Sequence, residues 1–587
     1  MKELTELIQE DMKEAFIKAG YDGDFAKVTV SKRPDLCEYQ VNGAMAAAKK
    51  YKKSPLEIAT SVVSCLNSSL IGKADVVSPG FINLTLDSKA LSLYLEKMAE
   101  DEKFGLEPVK DPKNIMMDYG GPNVAKPLHV GHLRSAVIGE SIKRILEFTG
   151  NKVIGDIHLG DWGTQMGLII TELKIRKPDL PYFDPEYTGD YPKEPPFTMA
   201  ELEEIYPTAS AKSKKDKEYH EKALEATRQL QDGRRGYVAL WKHIMHLSVN
   251  DLKKNYERLN VSFDLWKGES DSKEYIGPMV EKMKADGFAY VSNGALVCDV
   301  SQESDKKTIP PCMLLKTDGA ALYDTTDLAT LVWRMKDYHP DRIIYVVDKR
   351  QELHFIQVFR CARKTGIVPD STDLTFIGFG TMNGKDGHPF KTREGGVMRL
   401  STLLDDVESK MLEKISSNDD MSEEEACDAA KKIALAAVKY GDLQNVASKD
   451  YIFDVDQFTA FEGNTGPYIL YTIVRIKSIL KKYKEKFGAL PAISFGPADS
   501  GAARELELSI SGFQRAVRQA ADELAPSRIC AYIYDLSEKL NKFYHETKIL
   551  AIEDVREREN AVSLVRLAMN ILNKCIDMLG FSAPDKM

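Results

Sequence analysis

Nothing in this chain is suited to covalent cross-linking, to a zinc module or to crossing a bilayer as a helix. Its eight cysteines include no CxxC pair and follow no regular spacing, so neither a disulfide framework nor a zinc ribbon is indicated. Free thiols of this kind point to a reducing compartment. The HExxH helix of metalloproteases is absent. No apolar run approaches the roughly 20 residues a membrane helix needs. The N-terminal MKELTELIQEDMKEAF is acidic and amphipathic, without the apolar stretch of a signal peptide. A cytoplasmic protein with no membrane partner is expected. An excess of positive charge is also missing: the formal net charge is −9. That argues against a general nucleic-acid coat protein and leaves any nucleic-acid contact to local basic stretches.

What is present describes an ordinary folded protein of several domains. Hydrophobic residues at 43% and charged residues at 29% suit packed cores. A length of 587 residues exceeds what one core supports, so three or four domains are expected. Residues 1–105 read as an α+β N-terminal module. It has an opening helix, the alternating Lys27-Val28-Thr29-Val30, helices over Gly43–Tyr51 and from Ser54-Pro55, and a strand through Phe81–Leu86. The polar, Pro-containing stretch Gly105–Lys113 is a boundary. Residues 106–400 alternate strands and helices, the pattern of a Rossmann-like parallel-sheet α/β domain. Within it, 177–217 is rich in Pro, Tyr and charge and reads as inserted or loosely ordered. A helical connector covers 401–450, with a capping box at Ser422–Glu425 and an Ala-rich helix that Gly441 is expected to end. Apolar periodicity at 464–486, 503–524, 526–550 and 555–580 predicts an all-α C-terminal bundle over 451–587.

The most informative stretch runs from Asp118 to Gly150. It leaves a short apolar strand (Ile115, Met116, Met117) and passes a loop of Gly, Pro and Asn. It then enters a helix whose Leu133, Val137, Ile138, Ile142, Ile145 and Leu146 share one face. His129 and His132 stand at the mouth of that helix, with Lys126 just upstream. A helix N-terminus already favours anions, and two imidazoles and an ammonium suit a polyphosphate whose charge shifts during reaction. Gly131 lets a flat group such as a purine approach the backbone. In the competing readings the histidines merely cap the helix, or bind metal. No cysteine or acidic ligand lies nearby, so no metal site is assigned.

Further along, Lys152–Asp156 supplies a second strand, followed by the Gly-rich loop HLGDWGTQMG from His158 to Gly167. Ligands of open α/β sheets bind at that carboxyl edge. Tyr323 and Asp327 are spaced i, i+4 on a predicted helix. Arg342–Asp348 and Leu374–Gly380 are strands; the first precedes Gln351, the second a basic loop, Met382–Gly396, placed to close over phosphates. Isolated carboxylates such as these are more often caps or surface charges. The bundle's Tyr468, Tyr471, Arg475 and Lys477 suit RNA docking and a structural cap equally.

These motifs resemble the class I aminoacyl-tRNA synthetases, and most closely the arginyl-tRNA synthetases. HVGH at His129–His132 is similar to the first class signature, HIGH. PNVAKPLHVGHLRS, HLGDWGTQMG, the YxTxDLA string at Tyr323, NTGPYILY at Asn464 and the terminal LGFSAPDKM are similar to arginyl-family strings. The resemblance implies a ligase that activates L-arginine with ATP, accompanied by Mg2+, and transfers arginine to the 3′ end of tRNA(Arg). It implies that His129 and His132, flanking Gly131, stabilise the α-phosphate. Lys126 and Lys391, with Arg393, would meet the β and γ phosphates. Asp118, Asn123, Tyr323, Asp327 and Gln351 would surround the arginine. The second class signature, KMSKS, is replaced here by Pro389-Phe390-Lys391-Thr392-Arg393. Arginyl enzymes without its usual lysine carry one before HIGH, where Lys126 stands. The family has Glu or Asp at the position of Asp118, and usually arginine at that of Thr326. By the same resemblance the N-terminal module contacts the tRNA elbow and the bundle reads unpaired anticodon bases. The protein would be a monomer needing tRNA to activate arginine. Activation of another amino acid, such as lysine or cysteine, is the alternative within the class; two pocket carboxylates disfavour a neutral substrate, and no cysteine set suggests zinc-assisted thiol selection. A small-molecule nucleotidyltransferase has no need of the bundle, and a non-catalytic RNA-binding descendant is at odds with intact Lys126, His129 and His132.

Overall fold

A computed structural model of the protein describes residues 1–317, 319–388, 398–416, 421–498 and 501–587. In the N-terminal module, α1 (Leu4–Lys18) buries Leu4, Ile8, Met12, Ala15 and Phe16, an apolar stripe at helical spacing. Strands β1 (Val28–Val30) and β2 (Tyr39–Val41), helices α2 (Gly43–Tyr51) and α3 (Pro55–Ser64), strands β3 (Ile71–Val77) and β4 (Phe81–Leu86), and α4 (Ser88–Ala99) follow. The four strands form an antiparallel sheet in the order β1-β2-β4-β3.

Then β5 (Asn114–Tyr119) leads through α5 (Val130–Phe148) to β6 (Lys152–Asp156). Helices α6 (Thr164–Arg176), α7 (Met199–Lys215), α8 (Lys217–Gln231), α9 (Arg235–Arg258) and α10 (Lys273–Ala285) come next. A small antiparallel sheet of β7 (Ala289–Ser292), β8 (Ala295–Cys298) and β9 (Cys312–Leu315) precedes α11 (Tyr323–Tyr338), β10 (Arg342–Asp348), α12 (Glu352–Lys364) and β11 (Asp373–Phe379). The central sheet, β11-β10-β5-β6, is parallel throughout. Successive side chains point to opposite faces. Ile115, Met117, Tyr119, Ile344 and Val346 join the core that includes α5, whereas Met116, Ile343 and Tyr345 join a second core with Leu328 of α11 and Phe355 of α12. Asp118 stands level with Tyr345 and Asp156 of the adjacent strands, near their carboxyl ends.

Part of the 177–217 stretch departs from loose order. Thr198 accepts from the Glu201 amide and Glu201 from the Thr198 amide, a capping box that starts α7; Leu202, Ile205 and Ala209 are its buried face. The charge there belongs to the outer side of an amphipathic helix.

The rest is mostly helical: β12 (Met382–Asn383), α13 (Leu400–Ile415), α14 (Glu423–Leu443), β13 (Tyr451–Ile452), α15 (Val455–Phe458), α16 (Gly466–Phe487), α17 (Gly501–Ser511), α18 (Phe513–Asp522), α19 (Ser527–Glu546) and α20 (Val555–Met578). Gly441 does not end α14, which continues to Leu443. A Cβ at 441 would meet the Phe458 ring at 2.6 Å, so the glycine serves close packing. The 503–524 segment divides at Gly512 into two helices.

Buried polar ties join these parts. Arg504 of α17 donates to Glu38 at 2.8 and 3.0 Å. Arg134 of α5 donates to Asp442 of α14 at 2.7 Å and to the Gly380 and Lys449 carbonyls. Lys439 of α14 donates to the carbonyls of Leu259, Asn260 and Gly580 at 2.6, 3.3 and 2.9 Å. Ser141 of α5 donates to the Met578 carbonyl at the end of α20.

Candidate active site

The first amides of a helix have no partner within it, and at α5 both histidines provide one. His129 is the N-cap: its Nδ1 accepts from the Gly131 amide at 3.1 Å, while Nδ1 of His132 accepts from the His129 amide at 3.2 Å. Capping and a functional role therefore fall on the same residues. A neutral imidazole that accepts at Nδ1 carries its proton on Nε2, so each ring keeps an Nε2–H donor for another group. The rings lie with centroids 3.8 Å apart and planes at 32°. Burial and then the nearby Lys126 lower the pKa of His129; burial, His129 and Lys126 bring His132 down to about 3. The result is a neutral donor pair at the positive end of a helix, suited to an oxyanion. Gly131 has a reason independent of any ligand: a Cβ there would meet the His129 ring at 2.8 Å.

Three loops close around this mouth. The amide of Val124 donates to Gly160 O at 3.0 Å and that of Gly160 to Pro122 O at 3.2 Å. Leu159 donates to Lys267 O at 2.7 Å, and Glu269 to Leu159 O at 3.0 Å. Gly121 is required by proximity, since a Cβ would fall 2.2 Å from Ile157 O. This stitching delivers Glu269, which no motif in the sequence singled out.

The loops, the strand ends and α11 and α12 bound a cavity of about 850 Å³. It gathers Asp118, Asn123, His129, Gly131, His132, Tyr323, Asp327 and Gln351, and adds His158, Glu269 and His354. Lys126 is not in the wall; its Nζ lies 4.4 Å from the centre of the Tyr206 ring on α7. Lys391 and Arg393 lie outside the described residues. Lys385 is ion-paired with Asp454 at 3.0 Å and Asp456 at 3.1 Å.

Charges in the cavity are heavily organised. Arg334 of α11 is fully buried, and its Nη2 donates to Oδ2 of Asp118 at 2.7 Å and Oδ2 of Asp156 at 2.6 Å. Burial pushes the Asp118 carboxyl up, and Arg334 pulls it back. A guanidinium keeps its proton, and the carboxylate forms are the ones that satisfy it. Asp118, Asp156 and His158 are the one group with metal-ligand spacing among the described residues. The set does not suit Mg2+: one of its three members is an imidazole, a poor ligand for that hard cation, and the Arg334 guanidinium already offsets the charge of both carboxylates through their Oδ2 atoms. His158 has φ +42° and a side chain 10% exposed, with no hydrogen-bond partner at either ring nitrogen among the described residues. Burial pushes Glu269 up to about 7; His158 opposes the shift, and Asp161 and Asp327 add to it. Oδ2 of Asp327 lies 2.5 Å from Nε2 of His354, whose Nδ1 lies 2.7 Å from Oδ1 of Asp324. Thr326 donates its hydroxyl to the Tyr323 carbonyl at 3.0 Å and brings no charge to its position. Tyr323 is 63% exposed at the rim.

Comparison with known proteins follows the same three-part architecture. Residues 2–86 match the family described as arginyl tRNA synthetase N terminal domain. Residues 96–455 match tRNA synthetases class I (R), catalytic domain, and residues 469–587 match the DALR anticodon binding domain. An arginine–tRNA ligase of Agathobacter rectalis is 60% identical over 597 aligned residues, and one of Alkaliphilus oremlandii 52% identical over 588; each match covers 100% of both chains. The arginyl-tRNA synthetase structures from Plasmodium falciparum and Thermus thermophilus superpose with TM-scores of 0.80 and 0.78, each covering 100% of both chains, at 24% and 23% identity. They share the fold. With relatives this similar from end to end, the chain belongs to the class I arginyl-tRNA synthetase family.

Proposed function

We propose that the chain is an arginine–tRNA ligase that activates L-arginine with ATP to arginyl-adenylate, transfers arginine to the 3′ end of tRNA(Arg), and releases AMP and pyrophosphate. The observation that carries this reading is one cavity holding both a helix mouth suited to an oxyanion and the carboxylates a guanidinium requires. In the first step an arginine carboxylate oxygen attacks the α-phosphorus. The bond from phosphorus to the bridging oxygen breaks, and its electron pair leaves with pyrophosphate. No proton moves, so catalysis is positioning and charge stabilisation. We assign the Nε2–H groups of His129 and His132 to the α-phosphate oxygens and Gly131 to close approach of the adenylate. Lys126 and Lys391, with Arg393, are assigned to the β and γ phosphates; for Lys126 this requires leaving the Tyr206 ring. Mg2+ would travel on the triphosphate and neutralise part of its charge.

Asp118, Asn123, Tyr323, Asp327 and Gln351 are assigned to arginine. Asp327 has a hydrogen bond at Oδ2 and none at Oδ1 among the described residues, which leaves Oδ1 for a planar guanidinium. Asp118 is likewise left its Oδ1, since Arg334 holds Oδ2. In the second step a terminal ribose hydroxyl attacks the acyl carbon, the bond from that carbon to the phosphate oxygen breaks and its electron pair leaves with AMP, whose phosphate takes up the hydroxyl proton. The N-terminal module and the helical bundle are assigned to the tRNA, and the working form to a cytoplasmic monomer. The test is to offer bulk tRNA and ATP with each of the twenty amino acids in turn. Charging by arginine alone is expected; charging by another amino acid, or by none, overturns the reading.

A further inference from the structure

Asp327 does not meet its ligand unaccompanied. His354, on the first turn of α12, lies between two carboxylates of α11, with Nδ1 2.7 Å from Asp324 and Nε2 2.5 Å from Asp327. A neutral imidazole has one N–H and cannot donate to both acceptors at once. Two carboxylates at those distances call for the doubly protonated ring. We propose that His354 is a positioning residue for the guanidinium-binding carboxylate: as an imidazolium, it fixes Asp327 with Oδ2 turned to α12 and Oδ1 turned to the cavity, and reduces the charge of the Asp324–Asp327 pair from −2 to −1. The inference rests on the assignment of Asp327 to the arginine guanidinium.

The charge count gives the arrangement a purpose. Asp118 and Asp156 share Arg334, while Asp324, Asp327 and Glu269 have no arginine or lysine paired with them among the described residues. Without a resident cation they would repel one another and admit any cation. With His354 in place, Asp327 offers one oriented oxygen at a set distance from α12. Other titratable groups lining the cavity near this pair are Tyr323, Tyr345, Asp348 and Arg350, and Arg350 is occupied bidentately by Asp348. Among the described residues, His354 therefore supplies the cation for this pair. Burial alone would lower its pKa, but the hydrogen bonds to Asp324 and Asp327 outweigh burial and raise it to about 10.

The experiment measures ATP–pyrophosphate exchange in the full-length protein with saturating tRNA. Wild type, D327N, H354Q, D324N and H354Q/D327N are compared over pH 6.5–9. D327N tests the underlying assignment: an unchanged arginine KM rejects it, whatever His354 does. If D327N raises KM, H354Q is expected to raise arginine KM about 10- to 100-fold, the range for a hydrogen bond to a charged group. Its kcat and its KM for ATP should stay within about threefold, and the double variant should be little worse than D327N alone. In D324N the imidazolium keeps an amide oxygen as acceptor but loses one of its two neighbouring negative charges, so it gives up its proton more readily and arginine KM should climb as pH rises through the upper half of that range while wild type stays flat. H354Q with wild-type arginine KM, additive effects in the double variant, or parallel pH profiles for D324N and wild type would each overturn the proposal. D324N keeps the histidine, so the pH comparison survives even if H354Q folds poorly.

Discussion

The two histidines at the mouth of α5 differ from the usual picture of positive groups on a phosphate. Their Nδ1 atoms are committed to backbone amides, so what they offer is a pair of neutral N–H donors. For His132 the consequence is measurable. Its folded pKa is lowered to about 3 by burial, with His129 and Lys126 adding to it, while an unfolded histidine titrates near ~6.5. Between those values the unfolded chain takes up a proton that the native chain refuses, so this contribution to stability is present above ~6.5 and lost as pH falls toward 3. Substituting His132 by Gln should flatten the acid limb of a urea-denaturation series over that window; an unchanged slope would show that His132 is already charged when folded. Positive charge near the donors must come from elsewhere, which puts weight on Lys126. Lys126→Ala is expected to abolish ATP–pyrophosphate exchange while leaving tRNA affinity, read by filter binding, nearly unchanged. Exchange at the wild-type rate would remove Lys126 from the phosphates and leave it as the partner of Tyr206.

At the scale of elements, the sequence displays structure set by near neighbours and conceals structure set by distant ones. Strand β5, helix α5 and strand β6 stand in the sequence because their apolar spacing is set by neighbours a few residues away. Asp118, Asn123, Tyr323, Asp327 and Gln351 were placed together by motif, and one cavity does contain them. Nothing local marks Arg334 or His354, because their significance lies in partners 216, 178, 30 and 27 residues away, with no periodicity to reveal them. Helix α7 was obscured by its charge, which averaging over a window cannot sort into faces. Gly441 misled for a different reason. Glycine ends helices through its backbone, yet here it is needed for its missing side chain. Gly441→Val should destabilise by about 1–3 kcal/mol, the ordinary cost of overpacking, seen as a lower urea midpoint at constant slope. A variant as stable as wild type would mean that Phe458 moves aside freely.

Across the whole molecule, α5 carries the histidine pair at its mouth, as N-cap and first-turn residue, and ends with Phe148 against Phe513 and Lys574 of the C-terminal bundle. Arg134 and Asp442 are both fully buried, and removing one member of such a pair typically costs about 3–5 kcal/mol. Ser141 and Arg144, farther along the helix, donate to the carbonyls of Met578 and Asp577.

Reciprocity follows if those ties transmit anything. Whatever factor a bound tRNA contributes to the affinity for a non-reactive arginyl-adenylate analogue, the analogue must return to the tRNA, because the four equilibria close a cycle. Titration calorimetry in both orders should give equal factors greater than one, and a Ser141→Ala, Arg144→Ala variant should shrink both together. Factors of one in each direction would make α5 a strut that joins two sites without informing either of the other.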